Sequence, residues 1–276
     1  MTDALHARPA VALPRRRPWA GYLLGFGMGG FFDGILLHQI LQWHHLLSGL
    51  SAASLADLRV QVVADGVFHA LMYAVAGAGL WSLYRSRGAS QPSRRTLLAH
   101  FLLGFGVWHV VDAVLSHWLT GIHRLRMDVP DPLPWEVAWL ALFGLLPLMA
   151  GWVMVRREPP AGRGTGGQGP LLSVVLALAV ATGAMLNLYP VSAPAQDTSV
   201  VVLRPDASSA DLLKALDHTP ARILWADATG GVWVLADASS VSLRALYGAG
   251  ALYVSGATAP GGCSAWLRPQ TPRRTQ

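Results

Sequence analysis

The chain has 276 residues, of which 53% are hydrophobic and only 13% charged, with a formal net charge of +6. This composition excludes a disordered chain or an ordinary soluble domain and points to a membrane protein. The basic excess is scattered without an aromatic-interleaved stripe or nucleic-acid motif, so no nucleic-acid partner is expected.

Residues 1–18 read as a cytoplasmic tail, with Arg15, Arg16 and Arg17 as a basic anchor beside the first apolar run. That run is too long and too often interrupted by polar groups to be a cleavable signal. Five spans are predicted, over 19–42, 60–84, 97–120, 134–155 and 171–189. Each approaches the ~20 residues that cross a ~30 Å hydrocarbon core.

Arginines cluster before the first span, between the second and third (Arg85, Arg87, Arg94, Arg95) and after the fourth (Arg156, Arg157, Arg163). The alternate loops hold only Arg59, Arg124 and Arg126. The N-terminus is therefore expected in the cytoplasm and the alternate loops outside.

Residues 19–157 read as a four-helix transmembrane domain and 158–170 as a Gly/Pro linker. A fifth transmembrane helix is expected over 171–190, followed by a small periplasmic α+β domain over 191–276. Within that domain, strands are predicted at 199–203, 222–226, 231–236 and 251–255, and helices at 208–218 and 240–247. Ser208 and Ser209 offer an N-cap, and the 227–231 segment offers a hairpin turn. The order βαββαβ is the ferredoxin-like plan. Ala193 and Ala195 flank Pro194 in a small-x-small pattern that resembles a signal-peptidase site, and cleavage after Ala195 would release the domain. The single cysteine, Cys263, has no internal disulfide partner and reads as inert.

The chemistry is expected in a repeat. Gly25, Phe26, Gly27, Asp33, His38, His44 and Leu46 match Gly104, Phe105, Gly106, Asp112, His117, His123 and Leu125 in register and without a gap. Two spans separate equivalent positions, so both copies run the same way through the membrane. This implies a bundle of two helical hairpins related by a pseudo-two-fold axis along the membrane normal. The glycines of the first and third spans would let the backbones approach closely.

Counting inward at about 1.5 Å per residue places His38, His69 and His117 at one level near the outer surface. His44, His45 and His123 lie at the mouth, and Asp33 and Asp112 lie deeper. At about 100° per residue each aspartate shares a face with the second histidine of its copy, while His38 and His117 sit about 140° away. The repeat is thus read as a shared polar arc. Asp65 and His69 form an i, i+4 pair on the second helix.

Intramembrane acids and histidines are expensive and read as functional. Three functions compete, beside a structural reading in which the acids only pin the helices together. Imidazoles from two or more helices suit copper, zinc or iron, with His38, His69 and His117 as the leading ligands. His44, His45 and His123 would be secondary ligands, and Asp33, Asp112, Asp65 and His109 supporting groups. A haem held by two histidines is the second reading. A proton or ion path through the acids and His109 is the third.

His100 reads as interfacial, and His6 and His218 lie outside the bundle. Met28, Met72, Met149 and Met154 read as packing, and Trp135, Trp139 and Trp152 as an aromatic belt. Arg124 and Arg126 beside Asp128 and Asp131 read as an outer loop over the site. No nucleophile–base arrangement, phosphate loop or HExxH motif supports hydrolase or nucleotide chemistry, and a role other than catalysis is favoured.

The strings 30–45, 69–73 and 112–128 resemble a bacterial membrane-protein family catalogued as domain of unknown function 2243, over residues 19–157. The resemblance implies a four-helix bundle with this histidine-rich signature. It also implies an association with respiratory-oxidase assembly, which inclines the metal toward copper and the partner toward a periplasmic or respiratory-complex protein. The linker, the fifth span and the small domain lie beyond it.

Overall fold

A computed structural model describes residues 19–52, 54–86, 92–157, 170–188 and 198–255. The N-terminal tail, the linker, the 193–195 motif and Cys263 lie outside the described residues.

Among the described residues, four helices are long and apolar enough to cross a membrane: α1 (Trp19–Ile40), α2 (Leu58–Arg85), α3 (Arg94–Leu119) and α4 (Leu133–Arg156). A fifth, α5, covers Pro170–Leu188. The Asp57 side chain caps α2 by accepting from the Arg59 amide (2.8 Å), and Ser93 caps α3 by accepting from that of Thr96 (3.1 Å). In α4 a π-helical stretch, Leu140–Leu145, ends two residues before Pro147, which cannot donate a helical hydrogen bond.

α1 and α3 pack on each other more extensively than any other pair, with α2 against α1 and α4 against α3. Glycine makes this crossing possible. A β-carbon on Gly25 would run into the Phe101 carbonyl, and one on Gly104 into the carbonyl of Tyr22. These four residues are two equivalent pairs of the repeat, so the helices meet through one contact made twice. The side chains turned outward on α2 and α4 are apolar, among them Val63, Val67, Leu71, Leu142, Leu146 and Met149. Such a surface suits lipid.

The C-terminal region is a four-stranded antiparallel sheet of β1 (Thr198–Leu203), β2 (Arg222–Ala226), β3 (Val232–Ala236) and β4 (Ala251–Val254), in the order β2-β3-β1-β4. Helices α6 (Ser209–Leu216) and α7 (Leu243–Gly248) follow β1 and β3, close to the predicted boundaries. Asp227 builds the expected hairpin turn: its carbonyl accepts from the Gly230 amide (3.0 Å) and its carboxylate from that of Val232 (2.7 Å).

Alternation in β1 sends Val201 and Leu203 into a core with Leu212, Leu216, Leu235 and Leu246. Val200 on the opposite face joins Val232 and Val234, against which Leu58 at the start of α2 packs. Arg59 donates to the carbonyls of Leu203 (3.4 Å) and Arg204 (3.1 Å). The sheet thus abuts the end of α2 that follows the 41–57 loop.

Candidate metal centre

Both copies of the repeat lose regular α-helical winding at the duplicated acid. α1 widens into a π-helix over Gly34–Ile40 and α3 over Asp112–Leu119. The exits match position for position. Leu41 donates to the Leu36 carbonyl and Thr120 to that of Leu115, both at 2.9 Å. Trp43 donates to Leu37 (2.9 Å) and Ile122 to Ser116 (3.0 Å).

This widening corrects the angular argument from sequence. Bonding from i to i+5 stacks residues five apart, where α-helical winding would splay them. Asp112 and His117 therefore share a face, with His117 Nε2 3.1 Å from Asp112 Oδ2. His123 Nε2 reaches the other carboxylate oxygen, Oδ1, at 3.5 Å.

The loops then cross over. His44 Nδ1 donates to the Leu125 carbonyl and His123 Nδ1 to that of Leu46, each at 2.9 Å. A carbonyl can only accept, so both rings carry their proton on Nδ1 and present a bare Nε2 lone pair. The two rings stack in parallel, 4.4 Å apart with 6° between planes. His38 lies 4.6 Å from His44, and His117 lies 4.9 Å from His123.

Donor atoms of Asp112, His117 and His123 all lie within 4.8 Å of one another. Ligands ~2.1 Å from a tetrahedral ion stand about 3.4 Å apart, which the 3.1 and 3.5 Å contacts bracket. Neither His117 Nε2 nor His123 Nε2 is aligned for a hydrogen bond, and both are buried. Buried ring nitrogens and a carboxylate that converge without an aligned hydrogen bond form an arrangement that a cation completes.

Carboxylates stand behind the rings. His38 Nδ1 donates to Asp65 Oδ1 (3.0 Å), and His45 Nδ1 donates to Asp65 Oδ2 (2.6 Å). Asp65 also takes the Leu46 amide (2.9 Å). Across the site, Glu136 Oε1 lies 3.8 Å from His117 Nδ1, while Oε2 accepts from Trp118 Nε1 (2.7 Å) and lies 3.5 Å from Arg124.

Glu136 was missed from sequence. The available signal was an acid in the first turn of a strongly apolar span, and it is 1% exposed. It lies on α4 and Asp65 on α2, at positions that do not correspond in the repeat, so no sequence period links them.

The other candidates divide. His69 bonds the Asp65 backbone carbonyl and turns toward Gly34, where a β-carbon would collide with Nε2. Its ring centre is 6.4 Å from that of His38. His45 is held on Asp65 at the half-buried edge. His109 lies apart, its Nδ1 donating to the Phe105 carbonyl (2.9 Å) and its ring among Phe32, Phe105, Trp139 and Phe143. Trp139, read as belt, also stacks on Phe32. Over the mouth, Arg126 sits between the Trp43 and Trp135 rings, 4.7 and 4.5 Å from their centres, and pairs with Asp128.

His44 lies outside the spans. Burial, then the adjoining His38 and His123 rings, hold its imidazole well below the ordinary value of 6.5. The unfolded chain takes up a proton near that pH which the folded chain refuses. Stability is therefore fully present above it and lost as the pH falls below it. Thermal unfolding of the metal-free protein is expected to be level from about pH 8 to about 6.5 and to move to lower temperature toward about pH 5. An unchanged midpoint would contradict the placement of His44.

Apolar spanning helices enclosing a buried His/Asp cluster that can hold a metal ion define an integral membrane protein. Residues 20–158 match the family model described as "Predicted membrane protein (DUF2243)", and the chain belongs to that family. No curated protein and no solved structure matches the chain.

Proposed function

We propose that the protein binds a transition-metal ion through Asp112, His117 and His123. The observation that carries this reading is the convergence of two imidazole nitrogens and a carboxylate in a buried site without an aligned hydrogen bond, with the two nitrogen–oxygen separations at tetrahedral ligand spacing. His38 and His44 stand beside the same group of rings, and His45 lies at its edge on Asp65. Imidazole and carboxylate donors suit copper, zinc or iron.

The role is metal handling or support of a respiratory complex, with copper as the leading ion, rather than turnover of a small substrate. The stacked, crowded rings favour an ion over haem, because neighbouring imidazoles fill the plane a macrocycle would need.

The same reading sets the protein in a bacterial inner membrane, with α1–α4 as a four-helix bundle of two hairpins and α5 as a fifth span. The site and the C-terminal domain then face the periplasm. Support comes from the arginine distribution and from the contacts of Leu58 and Arg59 with the sheet. The C-terminal domain is read as ferredoxin-like, supported by the sheet order β2-β3-β1-β4. It would serve to dock a periplasmic or respiratory-complex partner.

Elemental analysis and a visible spectrum of the protein purified in mild detergent test the reading. Bound copper, zinc or iron without a Soret band is expected. A Soret band, or no metal after exposure to all three ions, would overturn it.

Glu136→Gln keeps the volume and the Trp118 contact but removes the charge behind His117. Loss of such an outer partner is expected to weaken metal binding by about 10–100-fold. An unchanged affinity would remove Glu136 from the site.

A further inference from the structure

The outer helices of the bundle, α2 and α4, pack by one contact made twice. A β-carbon on Gly79 of α2 would meet the Leu24 amide nitrogen at 2.9 Å, the Leu24 Cγ and the Ala20 carbonyl. One on Gly151 of α4 would meet the Leu103 amide nitrogen at 2.9 Å, the Leu103 Cγ and the Ala99 carbonyl. Ala20 and Leu24 are the repeat equivalents of Ala99 and Leu103. Gly27 against Ala76 and Gly106 against Leu148 form a second matched pair. Thus α2 sits on α1 as α4 sits on α3, and Ala76 and Leu80 correspond to Leu148 and Trp152.

In the first half, a helix fills the cleft beside this crossing. Leu176 and Val180 of α5 pack against the cluster that holds Leu24, Leu80 and Leu83. Val180 and Leu186 pack against the one that holds Phe31 and Ala76. Small residues let α5 come close. A β-carbon on Gly183 would lie 3.7 Å from the Phe31 ring, and the Ala184 carbonyl accepts from the Tyr73 hydroxyl (3.4 Å).

In the second half, the corresponding cleft is open. It forms a groove of about 340 Å³ lined by Leu103, Leu148, Met149 and Trp152. Three of these are the counterparts of Leu24, Ala76 and Leu80, against which α5 lies. Met149 is 63% exposed and Trp152 50%. The groove departs from its twin at one end. Arg156, one turn beyond Trp152, holds its guanidinium 3.8 Å from the centre of that ring, where α2 carries Tyr84. A cation therefore stands at the end of an apolar trough.

We propose that the α3/α4 cleft docks one transmembrane helix of another membrane protein. The established α1/α2/α5 interface supplies its pattern, and the pseudo-symmetry of the bundle carries that pattern to the open side. The occupant is an apolar span with small residues on its docking face, as α5 has at Gly183 and Ala184, because close packing joins helices in lipid. It carries a carboxylate at the end that meets Arg156, since a guanidinium stacked on indole keeps its fork of donors for an acid. Helices then flank the bundle on both sides, α5 on one half and the partner's on the other. The inference depends on α1–α4 spanning the membrane and is independent of the metal reading.

The probe is a synthetic helix with the sequence of residues 170–188, a glutamate added before Pro170 and the change Val180→Cys. It is mixed in nanodiscs with the full-length protein carrying Cys263→Ser and Met149→Cys, and disulfide formation is followed under mild oxidation. A cross-link that saturates at one probe per protein is expected at Met149→Cys, with none at Val67→Cys on the exposed side of α2. Arg156→Gln, a surface change that leaves the fold intact, is expected to weaken binding about fivefold, the worth of one exposed ion pair, and to have no effect on a probe with glutamine in place of the added glutamate. Equal cross-linking at Val67→Cys, or no cross-link at all, would overturn the proposal. So would a disulfide between two Met149→Cys chains without the probe, which gives the cleft to a second copy. Phosphatidylglycerol retained in native mass spectrometry and excluding the probe would give it to lipid and overturn the proposal as well.

Discussion

His123→Gln is expected to lower metal affinity by more than about 100-fold, beyond the 10–100-fold that loss of an outer-shell partner costs. The variant removes the Nε2 lone pair aimed at Asp112 and the Nδ1 bond to Leu46 together. Isothermal titration with Zn2+ measures the change, and His218→Gln is the control. His218 is an exposed histidine in the C-terminal region whose ring pairs, among the described residues, with Asp217. Equal loss in both variants would mean that the titration reads surface histidines rather than the buried centre. Retention of wild-type affinity in His123→Gln would remove His123 from the site.

The second large effect is structural. Gly25→Val or Gly104→Val would drive a side chain into the backbone of the facing helix, an obstacle that rotamer changes cannot relieve. The cost is expected to exceed the ~1–3 kcal/mol of ordinary overpacking. Because this crossing holds the two copies of the repeat together, both variants should lose metal binding along with thermal stability. Gly77→Val is the matched control, since a β-carbon there meets nothing within 4 Å. Melting in detergent at the wild-type temperature for Gly25→Val would contradict the α1–α3 crossing.

Much of this was legible in the chain. Hydropathy marks the four long helices, because a span must be apolar over its whole length. The elements around the sheet fall where alternation and turn residues put them, since the 227–231 turn and the Ser208 cap act through local hydrogen bonds. The repeat singles out Asp112, His117 and His123, whose donor atoms the structure brings within 4.8 Å of one another.

What the chain concealed is how those groups meet. The 140° separation of Asp112 from His117 holds only for α-helical winding, and no residue pattern announces the π-helical turns that undo it. The exchange of hydrogen bonds between His44 and Leu125 and between His123 and Leu46 depends on loops crossing between copies, which spacing along one helix cannot reveal. Glu136 and Trp139 were passed over because each sits where a membrane-edge residue is ordinary. Their partners, His117 and Phe32, belong to other helices.

The central claim is that the buried imidazole and carboxylate groups bind metal directly. X-ray absorption at the metal edge of the Zn2+-loaded full-length protein tests it. The account predicts a first shell of nitrogen and oxygen alone at about 2.0–2.2 Å, with the outer-shell scattering of at least two imidazoles per ion. A shell with sulfur at about 2.3 Å, or a hydrated ion without imidazole scattering, would contradict it.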